Sequence, residues 1–324
     1  MRYLTSILDA IGNTPLVKLS KLVAQKSDSL LLAKAEFLNP GHSIKDRMAK
    51  FVLDRAIHRG ELKPGGTIIE ATSGNTGIAL AMYGAIKGFK VILTLTDRVS
   101  DEKIALLRAL GAEVIICPSD AKHGSPESCN EVAKRLAQTI PNAYYVNQHE
   151  NLDNPLSHYE TTAKEIWTDT DGKITHFVAG LGTGGTFTGV ARFLKERNPN
   201  IRCIAVDPVG SVFYNYFKKG VPGEYKPYEL EGLGDDAIIP TVDFSLIDDM
   251  IQVTDKDAFL TARRLAKEEG LFVGGSSGAN VWAALKVYEA APSGSVIVTI
   301  LPDSGVNYLS KIYNDRWMQE RGYL

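Results

Sequence analysis

The sequence is poor in the residues that mark several common classes of protein. Its 324 residues include three cysteines, three tryptophans and six histidines, and neither sign of charge is in surplus: 36 Lys and Arg stand against 38 Asp and Glu, a formal net charge of −2. The balance gives no footing for a nucleic-acid partner, and no Lys/Arg run marks an anionic membrane surface. Cys117, Cys129 and Cys203 lack metal-ligand spacing, and no metal site is expected. Their odd number and wide separation suit reduced thiols. Any of the three could serve as a nucleophile, although a free cysteine is more commonly a buried packing residue. No apolar run approaches the roughly 18 residues that would span a bilayer. The start, Met1-Arg2-Tyr3-Leu4-Thr5-Ser6, has no sustained apolar stretch of the secretory kind, so the expected location is cytoplasmic. What remains is ordinary globular composition, 44% hydrophobic and 23% charged, at a length that suits about two domains.

Short β-branched runs alternate with helical patterns along nearly the whole chain. Strands are expected at 30–36, 67–71, 90–95, 113–117, 143–147, 176–180, 202–207, 250–254 and 295–301. Helices are expected near 43–61, 75–88, 100–110, 125–140, 158–168, 186–198, 255–269, 279–291 and 307–321. The alternation predicts α/β architecture with mostly parallel sheets, and the continuous apolar strands suit sheets covered on both faces. Asn151-Leu152-Asp153-Asn154-Pro155-Leu156 reads as a turn-rich crossing between two α/β units. The stretch 209–240, rich in Gly, Pro, Tyr and charge, reads equally as a functional lid or a peripheral loop.

Lys45 is the first candidate for chemistry. It lies in Asn39-Pro40-Gly41-His42-Ser43-Ile44-Lys45-Asp46-Arg47, just inside an expected helix for which Ser43 is a good N-cap. A cation in the first helical turn faces the positive end of the macrodipole, which is expected to favour the neutral, nucleophilic amine. Alone, such a lysine is most often a solvated surface residue.

Three glycine-rich turns stand beside it, each between an apolar run and a helix. Thr72-Ser73-Gly74-Asn75-Thr76-Gly77 would present backbone N–H groups and hydroxyls at a helix start, a site for a small anion such as a carboxylate, or simply a capped turn. Gly180-Leu181-Gly182-Thr183-Gly184-Gly185-Thr186 looks like a phosphate cradle. Gly180, Gly182 and Gly185 also satisfy G-x-G-x-x-G, with Asp207 ending a strand where the dinucleotide fingerprint wants an acid. Gly274-Gly275-Ser276-Ser277-Gly278 could set a hydroxyl at a ligand's polar atom, or be a structural turn. A nicotinamide dehydrogenase would use one turn of the three and leave Lys45 idle. Pyridoxal 5'-phosphate uses them all: a Schiff base to lysine, a nest for its phosphate, and an amino-acid substrate that brings a carboxylate.

In order and spacing, Asn39 to Arg47, Thr72 to Gly77, Gly182 to Thr186 and Gly274 to Ser276 resemble the fold type II pyridoxal-phosphate enzymes, and within them the cysteine synthase/cystathionine β-synthase family. The resemblance runs from Ile11-Gly12-Asn13-Thr14-Pro15-Leu16 to the C-terminus. Ser125-Pro126-Glu127-Ser128, Asn154-Pro155-Leu156-Ser157-His158-Tyr159, Glu231-Gly232-Leu233-Gly234, Leu301-Pro302-Asp303-Ser304 and Asp315-Arg316-Trp317-Met318 favour the cystathionine-forming side.

The resemblance implies a tryptophan synthase β-like fold of two α/β subdomains with the cofactor in the cleft between them. It implies a catalytic region over 8–305, divided into a smaller subdomain of about 44–150 and a larger one of about 1–43 plus 151–324, without a haem segment or a regulatory domain. Carried over by position, it assigns Lys45 to the covalent bond with the cofactor and to catalysis, and Asn75 to the cofactor's ring hydroxyl. Gly182, Thr183, Gly184, Gly185 and Thr186 take the phosphate, and Ser276 the pyridine nitrogen. Thr72, Ser73, Gly74, Thr76 and Gln148 take the substrate carboxylate. The implied reaction is β-replacement on L-serine by the thiol of L-homocysteine, giving L-cystathionine. The alternatives are cysteine synthesis from O-acetylserine and sulfide, and cystathionine synthesis from O-acetylserine. The implied partners are these small amino-acid and thiol substrates and a second copy of the chain in a homodimer.

Some positions depart from the family pattern. His149 and Asp235 stand where the cystathionine-forming members more often carry tyrosine, Ala71 replaces a common proline, and Ser276-Ser277-Gly278 is closer to the cysteine synthases. These leave the leaving group and the thiol open. His149 suits either tuning of acidity near neutral pH or polar packing.

Overall fold

The computed structural model describes the chain except for Arg2, residues 24–27, Ser73, Arg98, Ser100 and His123, and the side chains of Asp101 and Glu102. Among the described residues the strands are β1 (Leu16–Lys18), β2 (Leu30–Ala35), β3 (Thr67–Ala71), β4 (Lys90–Thr96), β5 (Glu113–Cys117), β6 (Ala143–Tyr145), β7 (His176–Gly180), β8 (Arg202–Pro208), β9 (Asp249–Val253) and β10 (Val296–Leu301). The α-helices are α1 (Lys45–His58), α2 (Asn75–Lys87), α3 (Asp101–Ala109), α4 (Cys129–Thr139), α5 (Asp153–Glu160), α6 (Thr162–Asp169), α7 (Gly185–Arg197), α8 (Phe213–Lys219), α9 (Asp255–Arg264), α10 (Gly275–Ala290) and α11 (Asp315–Glu320). No helix among the described residues is long and apolar enough to cross a membrane.

The chain forms two compact units, one of Met1–Ile11 and Asn39–Asp153, the other of Gly12–Leu38 and Asn154–Leu324. The first holds a parallel sheet in the order β5-β4-β3-β6. Its central strands β3 and β4 are buried on both faces because their side chains alternate between two helical layers, while β5 and β6 are only half-buried. Ile68, Val91, Leu93 and Leu95 pack with α1 and α2, while Ile69 and Ile92 pack under Ala133 of α4.

The second unit holds a six-stranded sheet in the order β1-β2-β10-β7-β8-β9, parallel except for β1. Val178 joins the core beneath α9 and α10, and its neighbour Phe177 meets Phe187 of α7 at 5.9 Å between ring centres. Phe259 of α9 takes Trp317 and Tyr323 edge-on at 5.8 and 5.3 Å, which fastens the C-terminal segment. Burial of such a ring contributes on the order of 2 kcal/mol.

Several expected elements differ. The crossing at 151–156 is helical from Asp153 on, because Asp153 and Asn154 open α5 in place of a turn. The single helix expected at 158–168 is two, broken at Thr161 (φ −122°, ψ −79°), whose hydroxyl donates to the Ser157 carbonyl at 2.6 Å. The helix expected at 307–321 shortens to α11 after a 3₁₀ turn at Gly305–Tyr308. α10 begins four residues early, at Gly275, and α8 lies inside the stretch expected to be irregular. Cys117 and Cys203 are buried, Cys129 is half-buried, and all three are free thiols.

Candidate active site

Lys45 is the first residue of α1 and is held there by the turn before it. His42 takes a left-handed conformation (φ +63°) and donates its N–H to the Asn39 carbonyl at 2.8 Å. The Gly41 N–H donates to the buried Asp46 carboxylate at 2.5 Å, and a Cβ on Gly41 would collide with that carboxylate. Glycine is therefore needed so that Asp46 can fold back and fix the turn. Ser43 lies one residue before the position expected of an N-cap, which is Ile44, yet its hydroxyl accepts the Lys45 N–H at 3.3 Å.

The other candidates of this unit sit where its sheet reverses direction. The chain runs from β3 outward to β4 and β5, then returns to place β6 on the opposite flank of β3. The loops leaving the carboxyl ends of β3 and β6 therefore diverge from one crevice, the usual ligand position of an open parallel sheet. Thr72, Gly74, Asn75 and Thr76 lie on the first loop and the start of α2, and Gln148 lies on the second. Thr76 donates its hydroxyl to the Gln148 carboxamide oxygen at 2.7 Å, and the Gly74 N–H donates to Thr72 Oγ1 at 3.3 Å. No side chain caps the start of α2. Ser73 lies outside the described residues.

The second unit repeats this design. Its chain runs from β7 to β8 and β9, then returns to place β10 on the other flank of β7. Gly182, Thr183, Gly184, Gly185 and Thr186 leave the carboxyl end of β7 and open α7. Gly184, at the N-cap, has φ +74° and leaves the helix start without a side-chain cap. A Cβ on Gly182 would strike the Gly232 carbonyl, and one on Gly185 would lie under 3.0 Å from the Asn154 carboxamide. Asn154 donates to Thr183 Oγ1 at 3.0 Å, so the Thr183 hydroxyl proton is directed to another acceptor. Ser276 is buried in the first turn of α10, whose N-cap, Gly274, follows a bridge from Val273 to Ser304 just beyond β10.

A bare helix start, a glycine backbone and two threonine hydroxyls suit a phosphate. A buried serine hydroxyl in the first turn of α10 suits a ring nitrogen. The donor set fits pyridoxal phosphate. It does not suit the dinucleotide alternative, because Asp207 is fully buried. Its carboxylate accepts the Tyr214 N–H at 3.0 Å and a hydrogen bond from Ser211, which organises the start of α8.

Apart from Lys45 at the start of α1 and Ser276 at the start of α10, the described candidates fall into two sets, one at the switch point of each sheet, with Thr76 and Gln148 joined directly. Asn154 and Glu70 were missed as supporting residues. Asn154 belonged to a segment singled out only as a family marker, and Glu70 stood out only as a carboxylate in a buried strand. Burial pushes the Glu70 carboxyl up to about 7, against the His149 charge and donors from Asn147 and Gln148.

Comparison with known proteins decides the family. The profile of the "Pyridoxal-phosphate dependent enzyme" family matches residues 7–303. The chain belongs to this family. It is 47% identical, over its whole length, to a cystathionine beta-synthase of Apis mellifera, and spans 64% of that relative. Among solved structures, it is similar to O-ureido-L-serine synthase (TM-score 0.89, 38% identity, 98% of this chain and 100% of that one). It is equally similar to the O-acetylserine-dependent cystathionine beta-synthase from Helicobacter pylori (TM-score 0.88, 42% identity, 97% and 100%). The family is that of fold type II pyridoxal-phosphate enzymes.

Proposed function

We propose that this chain catalyses β-replacement on L-serine, with L-homocysteine supplying the thiol and L-cystathionine as the product. The observation that carries the reading is the 47% identity to a cystathionine beta-synthase over the whole chain, in a protein whose glycine turns occupy the switch points of both sheets. Pyridoxal phosphate, when bound, supplies an electron sink that acidifies the substrate Cα and lets a β-substituent depart.

The chain supplies the rest. Gly182, Thr183, Gly184, Gly185 and Thr186 receive the phosphate at the start of α7. Asn75 would hold the ring hydroxyl, and Ser276 would offer the pyridine nitrogen a neutral hydroxyl. A neutral partner leaves the ring a weaker sink than a carboxylate would, which favours prompt loss of the β-substituent. Thr72, Ser73, Gly74, Thr76 and Gln148 hold the substrate carboxylate. The Lys45 amine would anchor the cofactor and, as a base beside the substrate, would take the Cα proton and protonate the departing hydroxyl, which leaves as water.

O-acetylserine in place of serine is the second reading, favoured by the likeness to the O-acetylserine-dependent cystathionine beta-synthase. Product analysis with serine or O-acetylserine, each crossed with homocysteine or sulfide, tests both. Cystathionine from serine and homocysteine supports the first reading. Product from O-acetylserine alone replaces it.

A further inference from the structure

The amino ends of β7, β8 and β10 frame a cleft of about 480 Å³ at the end of their sheet opposite the turn at 182–186. Its volume lies within the range of small-molecule sites, roughly 300–1,000 Å³, and the reaction read above does not use it. Thr175, His176, Asn200 and Arg202 line it together with the turn from Pro292 to Ser295. That turn is tied down: the Ser295 hydroxyl donates to the Pro292 carbonyl at 2.7 Å, and the Gly294 N–H donates to Ser29 Oγ at 3.1 Å.

His176 and Arg202 are registered partners on adjacent parallel strands. Their side chains therefore leave the sheet on one face, with roots roughly 5 Å apart. Arg202 is exposed, and its guanidinium makes no ion pair among the described residues. Asp249 of β9, the acid whose charge it meets, is paired with Lys218 at 3.0 Å. His176 is only 9% exposed. Its Nδ1 lies 2.8 Å from Thr175 Oγ1, and its Nε2 has no hydrogen-bond partner among the described residues. Burial, and after it the Arg202 charge, hold the His176 ring below its usual 6.5, so the ring is neutral at pH 7.

A neutral ring carries one proton, and Thr175 decides where it sits. The Thr175 hydroxyl has two acceptors in reach, the Val296 carbonyl at 3.0 Å and His176 Nδ1. The Val296 carbonyl already receives the Thr175 N–H at 2.8 Å, so the hydroxyl can turn to Nδ1 and strand nothing. The ring proton then sits on Nε2, the nitrogen left to the cleft. A guanidinium fork, a ring donor and the Asn200 carboxamide, with no carboxylate among the lining residues, suit a tetrahedral oxyanion.

We propose that this cleft is a binding site for a phosphate group, as free phosphate or as a small monoester, held between Arg202 and His176.

The test is titration of the holoenzyme, in which the cofactor already fills the turn at 182–186, with inorganic phosphate and with glycerol 3-phosphate. Calorimetry reads the affinity, and magnetic resonance reads the His176 ring signal, assigned by its absence from His176→Gln. At least one of the two is expected to saturate and to move that signal. Equal affinities identify free phosphate as sufficient, and tighter glycerol 3-phosphate identifies a monoester whose substituent occupies the rest of the cleft. Arg202→Ala removes an exposed side chain, so the fold is expected to persist while binding weakens about 10-fold or more. Arg202→Lys, which keeps the charge without the fork, is expected to fall between. The proposal is overturned if neither ligand saturates, or if binding leaves the His176 signal in place or survives Arg202→Ala unchanged. Sodium chloride at matched ionic strength that moves the signal equally also overturns it, because screening alone then accounts for the shift.

Discussion

Asn154 and Gly185 are packed so that a single added carbon would separate them: a Cβ on Gly185 would lie under 3.0 Å from the Asn154 carboxamide. Asn154 in turn holds the Thr183 hydroxyl at 3.0 Å. Glycine at 185 is therefore fixed by close approach to a residue that orients the turn from 182 to 186. Gly185→Ala must push Asn154 away and lose its bond to Thr183. The expected cost is about 1–3 kcal/mol of stability, read as a lower melting temperature. Cofactor affinity should fall by about 10-fold or more, read by titrating pyridoxal phosphate into the apoprotein.

Lys45 occupies a start of α1 that Gly41, Ser43 and Asp46 build around it. Lys45→Ala leaves those contacts in place, so the fold is expected to persist with a melting temperature near wild type. Covalent attachment is expected to vanish. Borohydride reduction followed by intact-mass measurement should add the cofactor's mass to wild type and nothing to the variant. Turnover should drop by about 10³-fold or more, since the variant loses both anchor and proton carrier.

The strand-turn-helix units around Thr72 to Gly77 and Gly182 to Thr186 were legible in the sequence because glycine and hydroxyl residues interrupt sharp apolar runs. The breaks that were not legible lack such punctuation. β1 is three residues long and only half-buried, so its pattern carries little hydrophobic signal. The end of α5 at Thr161 has neither Gly nor Pro, and a threonine hydroxyl bonded back to Ser157 marks it instead. In the site, residue types on the loops were readable. The support behind them was not, because Glu70 and Asn154 act on residues distant in the chain. Their meaning depends on the order β3-β6 and on the passage of α5 behind α7, which periodicity does not encode.

Lys34, in the larger unit, has no exposed side-chain surface. It pairs with Glu165 at 2.8 Å and Asp169 at 3.2 Å and donates to the Thr14 carbonyl. Glu165 also accepts the Asn13 N–H at 2.9 Å, so the cluster ties the segment before β1 to α6. Lys34→Met keeps the volume but leaves the partly buried Glu165 without its cation, while the exposed Asp169 returns to water, and about 1–3 kcal/mol of stability should be lost. Adding Glu165→Gln removes one stranded charge and is expected to recover part of the loss, so the two changes will not sum. Denaturant unfolding of the two single variants and the double variant measures the coupling.

Asp207 gives a pH-dependent signature with a definite sign. Its carboxyl is buried, and burial pushes it from the usual 3.8 up to about 7, against hydrogen bonds from Ser211 and the Tyr214 backbone. A raised acid favours the neutral form in the folded state. Below about pH 4 both states are protonated and Asp207 costs nothing extra. As pH climbs toward 7 the unfolded chain ionises while the folded one resists, so the penalty grows, and above 7 it is complete. Asp207→Asn keeps an oxygen for the Tyr214 N–H and removes the ionisation. The variant is therefore expected to gain stability relative to wild type as pH rises from 5 to 8. The measurement is the difference in melting temperature between the two proteins across that range. A difference that stays flat from pH 5 to 8 would mean that the folded carboxyl ionises at or below its unfolded value, the Ser211 and Tyr214 donors offsetting burial; a change confined to below about pH 4 would show that they outweigh it.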